Sequence, residues 1–321
     1  MKALALFSLG LDSILATKII KDSGISLEAI HFVSEFFPLT KKREELLSFF
    51  TKKLNVSLTI KDISRELIEI VKVPRYGYGK NLNPCIDCKI LMFRKAKEFM
   101  KRINADFIVT GEVLNERPFT QRKGIFELIE KETQLEKLIL RPLSARLLKT
   151  TIVEEKKWID REKLLSFKGK SRKPQIELAK KLEVYFYPQP SGGCLLTDPF
   201  YARRLKDLLK YTSDFTLDDI KLLKIGRHFR ISNSAKLVIF RNEEEKKILK
   251  DFSCDNFIKF FSQKGEFFSL GIGKFRKEDI NLSARIVAFY LKSNRIRIFD
   301  KREEDISVVP LAKQRLEEYR I

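Results

Sequence analysis

Ten residues near the N-terminus, Leu4 to Ser13, constrain this chain more than any other stretch. Leu4-Ala5-Leu6-Phe7 is an apolar run and Ser8-Leu9-Gly10-Leu11-Asp12-Ser13 a turn of mostly small and polar residues. Ile14, Leu15, Lys18 and Ile19 then fall at helical spacing across Ile14 to Lys21. The reading is strand, loop, helix. Such a loop aims backbone N–H groups and the positive end of the helix dipole at one point, which suits a phosphate. An ordinary strand-to-helix turn capped by Asp12 or Ser13 fits the same letters, so the choice falls to the rest of the chain.

The rhythm continues. Leu27 to Val33 reads as a buried strand, Lys41 to Leu54 as a helix with Leu46, Leu47, Phe50 and Leu54 on one face, and Val56 to Ile60 as a third strand. Asp106 to Thr110 and Leu138 to Leu143 supply a fourth and a fifth. Strands alternating with helices imply an α/β fold, a doubly wound parallel sheet whose ligand lies at the C-terminal ends of its strands. The opening loop lies on that edge. A composition shift after Pro199 divides the 321 residues into an expected domain over 1–200 and a smaller C-terminal α+β domain over 201–321, built of short β runs such as Lys236 to Arg241 and Arg295 to Phe299.

Charge adds a partner class. The formal net charge is +21, from 64 Lys and Arg against 43 Asp and Glu, a field that attracts polyanions, nucleic acid first. A thermophile-like Lys/Glu surface accounts for the density of charge but not for its sign. No apolar run is long enough for a bilayer and the N-terminus enters a strand without a leader pattern, so the expectation is a cytoplasmic protein with no membrane partner.

Four cysteines are too few for a disulfide framework. Cys85 and Cys88 form a Cys-x-x-Cys pair opening a helix, with Asn83 expected as N-cap, Pro84 as first helical residue, and the helix dipole expected to lower the thiol pKa values. Zinc sites, dithiol pairs and iron–sulfur ligation share that motif. In Pro188-Gln189-Pro190-Ser191-Gly192-Gly193-Cys194, the glycines permit a close approach that brings a third thiol to the pair. Cys254 reads as a packed residue. Pro74 to Lys80 reads as a surface loop suited to stacking on bases, and Thr150 to Leu182 as helical text whose Lys168, Lys170, Arg172 and Lys173 form an RNA backbone track.

Ser8 to Ser13 resembles the Ser-Gly-Gly-x-Asp-Ser/Thr signature of the PP-loop ATP pyrophosphatases. Leu9 stands in place of the first glycine, implying either a backbone held at negative φ or a loop further from the phosphates. The resemblance continues through Thr110-Gly111-Glu112, Arg117, Gln121 and Arg122 to Arg141-Pro142-Leu143. It implies an adenine nucleotide hydrolase-like fold binding ATP and Mg2+. Ser8, Gly10, Leu11 and Ser13 would cradle the phosphates, Asp12 would hold the metal, and the strand end at His31 to Val33, with Phe32, would floor the adenine. Gly111, Glu112, Arg117, Gln121 and Arg141 would orient the nucleotide, while His31 itself would be packed.

With Cys85, Cys88 and Cys194, the first two hundred residues resemble a tRNA thiolation enzyme. That resemblance implies adenylation of a uridine carbonyl oxygen and its replacement by sulfur, with Asp12 and the three cysteines catalytic. The cysteines would ligate a [4Fe-4S] cluster whose free iron takes the hydrosulfide. The partners would be tRNA and a sulfur donor, either sulfide or a persulfide carrier, with a homodimer left open. A cluster-free persulfide thiouridylase, a PP-loop ligase or synthase acting on a small molecule with structural Zn2+, and an RNA-binding protein without ATP turnover stand beside this reading. The Gly226-Arg227-His228-Phe229-Arg230 and Arg241-Asn242-Glu243-Glu244-Glu245 text resembles the RNA-binding domain of the NFACT family. On that view Arg227, Arg230 and Arg241 would meet phosphates and His228 would be incidental.

Overall fold

The computed structural model describes residues 1–188, 193–247, 257–300 and 302–321. Gln189 to Gly192 of the loop before Cys194, and Cys254, lie outside them. The chain divides into two compact units, Met1–Thr197 and Asp198–Ile321.

In the first unit β1 (Lys2–Leu6), α1 (Leu11–Asp22), β2 (Ser26–Val33), α2 (Lys41–Leu54), β3 (Ser57–Asp62) and α3 (Ser64–Lys72) follow in order. After them come α4 (Cys85–Arg102), β4 (Phe107–Thr110), α5 (Lys123–Thr133), β5 (Ile139–Leu140), α6 (Ile152–Glu155) and α7 (Lys173–Lys181). The five strands pair in parallel in the order β3-β2-β1-β4-β5. Strand order reverses between β1 and β4, so the loops leaving those two strands open on the crevice where doubly wound sheets bind ligands.

Alternation along each strand builds two cores. Ala3, Ala5, Phe107 and Val109 face Leu11, Ile14 and Leu15 of α1, Leu47 and Phe50 of α2 and Ala179 of α7. Leu4, Ile30 and Ile108 face Ile90 and Phe93 of α4 and Ile129 of α5. Burial on both faces is why these strands read as unbroken apolar runs rather than alternating ones.

Thr150 to Leu182 is not one helical stretch. Only α6, a 3-10 turn at Arg161–Lys163, and α7 are helical there. Between them Ile159 and Leu164 turn back into the first core, and that burial overrides local helix propensity.

The second unit contains α8 (Pro199–Tyr211), α9 (Leu217–Leu222), β6 (Arg227–Arg230), β7 (Ala235–Ile239), α10 (Glu243–Lys247) and β8 (Ile258–Phe261). It ends with β9 (Phe267–Gly273), α11 (Lys277–Leu291), β10 (Arg295–Asp300), β11 (Arg302–Ser307) and α12 (Lys313–Tyr319). Its strands form an antiparallel sheet in the order β11-β10-β8-β9-β7-β6. Ala284, Val287 and Ala288 of α11 pack on Leu237, Phe260, Ile296 and Ile298. Leu222 and Ile225 pack with Val238, Phe240 and Leu270 in a smaller cluster. Leu217–Leu222 is helical because Thr216 and Asp219 close a reciprocal capping box. Among the described residues no helix is long and apolar enough to cross a membrane.

Candidate active site

The turn after β1 starts α1 without a side-chain cap. Gly10, not Asp12 or Ser13, is the N-cap residue, in extended conformation, and no side chain makes a capping hydrogen bond. Ser13 Oγ donates to the Gly10 carbonyl at 2.8 Å and Ser8 Oγ to Ser13 Oγ at 3.2 Å. The hydroxyls therefore brace the loop while the N–H groups of Leu11, Asp12 and Ser13 keep no intrahelical partner. Leu11 is wholly buried, so its contribution to a ligand is its backbone N–H alone. Leu9 does not keep a negative φ. It sits at φ 68°, the left-handed region where glycine is at ease, with its side chain buried in the core.

Gly111, just past β4, closes the other side. A β-carbon there would overlap the backbone of Asp12 and Ser13, so glycine is obligatory for this approach. Glu112 next to it is buried between Lys89 of α4 and Arg141, whose Nε lies 3.1 Å away. Burial opposes its charge, but the two cations outweigh burial and hold its carboxyl below the usual range. Arg141 also meets Glu130 at 2.5 Å and lies over the Phe126 ring, with 3% of its surface exposed. Arg141, expected as a phosphate ligand, has its charge matched here by two carboxylates, while its buried Nη2 keeps no partner. Phe32 is buried in the core with Ile30, Ile86 and Ile90, leaving little ring for an adenine to lie on. Gln121 is buried and accepts from the Arg117 N–H at 2.9 Å, closing the 117–121 turn, whereas Arg117 is exposed. His31 is packed, its Nδ1 donating to the Phe7 carbonyl at 2.6 Å, and burial lowers its pKa.

Asp12 is largely buried and its Oδ1 has no hydrogen-bond partner. Burial pushes its pKa up, while Arg172, Gln175 and Arg117 nearby pull the other way without prevailing. Glu116 is raised as well, by burial and then by the charge of Asp12. The Asp12 charge thus reaches Glu116, and two neighbouring carboxylates form a donor pair suited to a divalent cation.

Lys89 links this loop to the thiols. It follows Cys88 in the first turn of α4 and pairs with Glu112 beside Gly111. The helix starts one residue later than expected, with Pro84 as N-cap residue, and Asn83 instead points its Nδ2 at Cys85 Sγ, 3.2 Å away. Cys85, Cys88 and Cys194 are free and half-buried. Cys194 joins the same region: Leu195 N–H donates to the Phe36 carbonyl at 2.8 Å, and Asn81 Nδ2 to the Thr197 carbonyl at 2.7 Å. Burial raises the Cys88 thiol, and the charges of Cys194 and Cys85 raise it further. Burial also pushes Cys194 up to about 11. The expected lowering by the helix dipole is overcome by desolvation at Cys88. Cys88 thus senses both other thiols and Cys194 senses Cys85, yet among the described residues no three Cys, His, Asp or Glu side chains stand as a formed metal group.

Sequence reading missed Lys89, Arg43 and Gln175, and placed Arg172 in the RNA backbone track. Arg43, in the first turn of α2, donates Nη2 to the Ser8 carbonyl at 3.1 Å and fixes the loop. Its place after a parallel strand was the available signal. Gln175 carried none and Arg172 read only as one of a basic cluster, because the fold alone brings α7 against α1. In the second unit Arg230 is committed to Asp207, at 3.0 and 2.5 Å, and lies over Tyr211. Arg241 Nη2 donates to the Gly226 carbonyl at 3.1 Å, and Arg227 lies over Tyr290. His228 is buried, with Nε2 2.7 Å from the Ile225 carbonyl.

Comparison with known proteins adds names to this geometry. Residues 226–320 match the NFACT protein RNA binding domain. The tRNA-specific 2-thiouridylase MnmA of Campylobacter hominis is 30% identical over 117 residues, covering 35% of this chain and 32% of that protein. A 4-thiouridine synthetase solved with RNA and bound ATP is 22% identical, with TM-score 0.37, over 57% of this chain and 51% of its own. The U34-tRNA thiolase NcsA of Methanococcus maripaludis, solved with its [4Fe-4S] cluster, is 15% identical, with TM-score 0.36, over 70% of this chain and 72% of its own. The chain thus spans about a third of the curated relative and half of the 4-thiouridine synthetase. The remaining match is the most extensive at family level, running over residues 1–170, more than half of the 321, and by it the chain belongs to the thiamine biosynthesis protein (ThiI) family.

Proposed function

We propose that this protein is an ATP-dependent tRNA sulfurtransferase. One observation carries the reading: an uncapped helix start at the sheet's switch point lies in one unit with three thiols, close enough that Cys194 and Cys85 raise the pKa of Cys88 and Cys85 that of Cys194. The ThiI family, the RNA-binding match and a curated relative named for tRNA 2-thiolation support it. The N–H groups of Leu11, Asp12 and Ser13 hold the phosphates, and Asp12, with Glu116 beside it, offers carboxylate oxygens to Mg2+. A uridine carbonyl oxygen attacks the α-phosphorus, the bond to the β-phosphate oxygen breaks, and pyrophosphate leaves. Sulfide then attacks the activated carbon, the C–O bond breaks, and AMP leaves with the former carbonyl oxygen. Its base must leave the stack to reach such a site. Cys85, Cys88 and Cys194 are a soft, shielded donor set that fits a [4Fe-4S] cluster with three protein ligands. When bound, the cluster supplies an iron with an open position for sulfide.

A cluster-free reading, in which one cysteine carries a persulfide and another resolves it, draws on the lack of a formed metal group among the described residues. The test is to incubate anaerobically reconstituted protein with ATP, Mg2+, sulfide and unmodified tRNA, then identify nucleosides by mass. Thionucleoside, AMP and pyrophosphate are expected in equal amounts. Iron and acid-labile sulfide in the protein active with sulfide choose the cluster, and activity without iron when a persulfide carrier replaces sulfide chooses the persulfide. Asp12→Ala is expected to slow adenylation on the order of 10²-fold or more while leaving tRNA affinity within about twofold. Equal loss of both would place Asp12 in RNA binding instead.

A further inference from the structure

Several unpaired polar atoms meet at the start of α1. Gln175 of α7 is 1% exposed and its amide stands close enough to the Asp12 carboxylate to stabilise its charge, yet neither its Oε1 nor its Nε2 completes a well-formed hydrogen bond. Arg172, the N-cap residue of α7, is half-buried, with its Nε shielded from solvent and unpartnered. Among the described residues no carboxylate lies within 4.0 Å of its guanidinium, whereas Arg141 and Arg230 are both held by carboxylates. Asp12 Oδ1 is the fourth such atom. They belong together: α7 packs on α1, and Arg172 and Gln175 are the first two groups opposing the burial of Asp12. A folded protein rarely leaves so many buried groups unpaired unless something else completes them.

The missing piece has a chemical signature. It must accept from a guanidinium N–H and from the backbone N–H groups at a helix start, and bring a cation to a carboxylate. A magnesium-bound phosphate chain does all three. We propose that Arg172 contacts the phosphates that leave as pyrophosphate, and that Gln175 is a positioning residue that fixes the Asp12 carboxylate when the site is filled. This rests on the ATP site of the proposed function, and it takes Arg172 out of the RNA track where its basic neighbours Lys168, Lys170 and Lys173 suggest it belongs.

The test measures magnesium pyrophosphate binding by calorimetry and tRNA binding by anisotropy, on the full chain, with melting temperatures alongside. Arg172→Ala is expected to weaken pyrophosphate binding about tenfold or more, as loss of a charge-assisted contact does, with tRNA affinity within about twofold. Arg172→Lys should recover part of the loss, since it restores charge but not the Nε donor. Gln175→Met replaces two unpaired polar atoms with an apolar chain of similar shape, so it should hold or raise the melting temperature while weakening pyrophosphate binding. A residue that merely packs would not lose binding at undiminished stability. Wild-type affinity for pyrophosphate in both variants, or loss of tRNA binding alone in Arg172→Ala, overturns the inference and spares the proposed function. A wild-type protein that binds neither pyrophosphate nor ATP overturns both.

Discussion

Leu9 shows how a single residue reconciles two demands. The loop needs a left-handed backbone at that position, and the core beneath it has room for a large side chain. A glycine would meet the first demand and leucine meets the second, at a conformational cost of roughly 1–2 kcal/mol. Burial of a leucine is worth more, since its truncation to alanine costs about 2–5 kcal/mol in a well-packed core. Leucine therefore wins. Truncation exposes the trade directly: Leu9→Ala and Leu9→Gly should both destabilise the protein, but the glycine variant should be the more stable of the two by about 1 kcal/mol in urea unfolding. That reverses the usual order of alanine over glycine. The usual order would mean that Leu9 does not hold a positive φ in solution.

Among the elements, the β6–β7 hairpin carries a buried base. Lys236 is 6% exposed and 3.6 Å from Asp207 of α8, a carboxylate already shared with Arg230. Burial is the main cause that lowers its pKa to about 8, with Arg230 adding repulsion and Asp207 only partly offsetting it. Between about pH 8 and 10.5 the unfolded chain holds a proton here that the folded one has released, so this lysine makes stability rise with pH across that window, by at most about 3 kcal/mol. Urea titrations at pH 8 and pH 10 should show that rise in the wild type and a smaller one in Lys236→Met. Identical pH slopes would mean that Lys236 is charged and solvated. The hairpin also marks how far sequence reasoning reaches. β1, β2, β4 and α2 are legible because their apolar periods are set by burial the chain cannot avoid. Ser8 to Ser13 are legible because all their neighbours are local. The segment from 150 to 182 misleads because its residues favour a helix while the core claims Ile159 and Leu164. Arg141 looks like a ligand because a cation at a strand end gives no hint of the two carboxylates folded against it. Arg172 and Gln175, some 160 residues from the loop they face, are visible only once α7 is in place.

For the whole molecule, the charge of +21 and a match to an RNA-binding domain point to one measurement. If Lys and Arg neutralise six to ten phosphates, tRNA affinity should fall about 10³- to 10⁵-fold between 50 and 200 mM salt, linearly in the logarithms. A flat response would assign the charge to the surface alone. The proposed phosphate site at the start of α1 would use fixed N–H groups and a half-buried guanidinium, so binding there should be far less sensitive to salt than the grip on RNA. The approach of Gly111 to Asp12 and Ser13 also bears on how such a chain can change over time. The gap between β4 and α1 is narrower than one methyl group, so the two halves of the sheet are pinned at the corner they share. No substitution can widen that corner without moving backbone on both sides. Variation that retunes the pocket must come from its far wall, where α7 reaches in with side chains alone. Lineages that diverge in what they bind should therefore keep the corner and rewrite the wall.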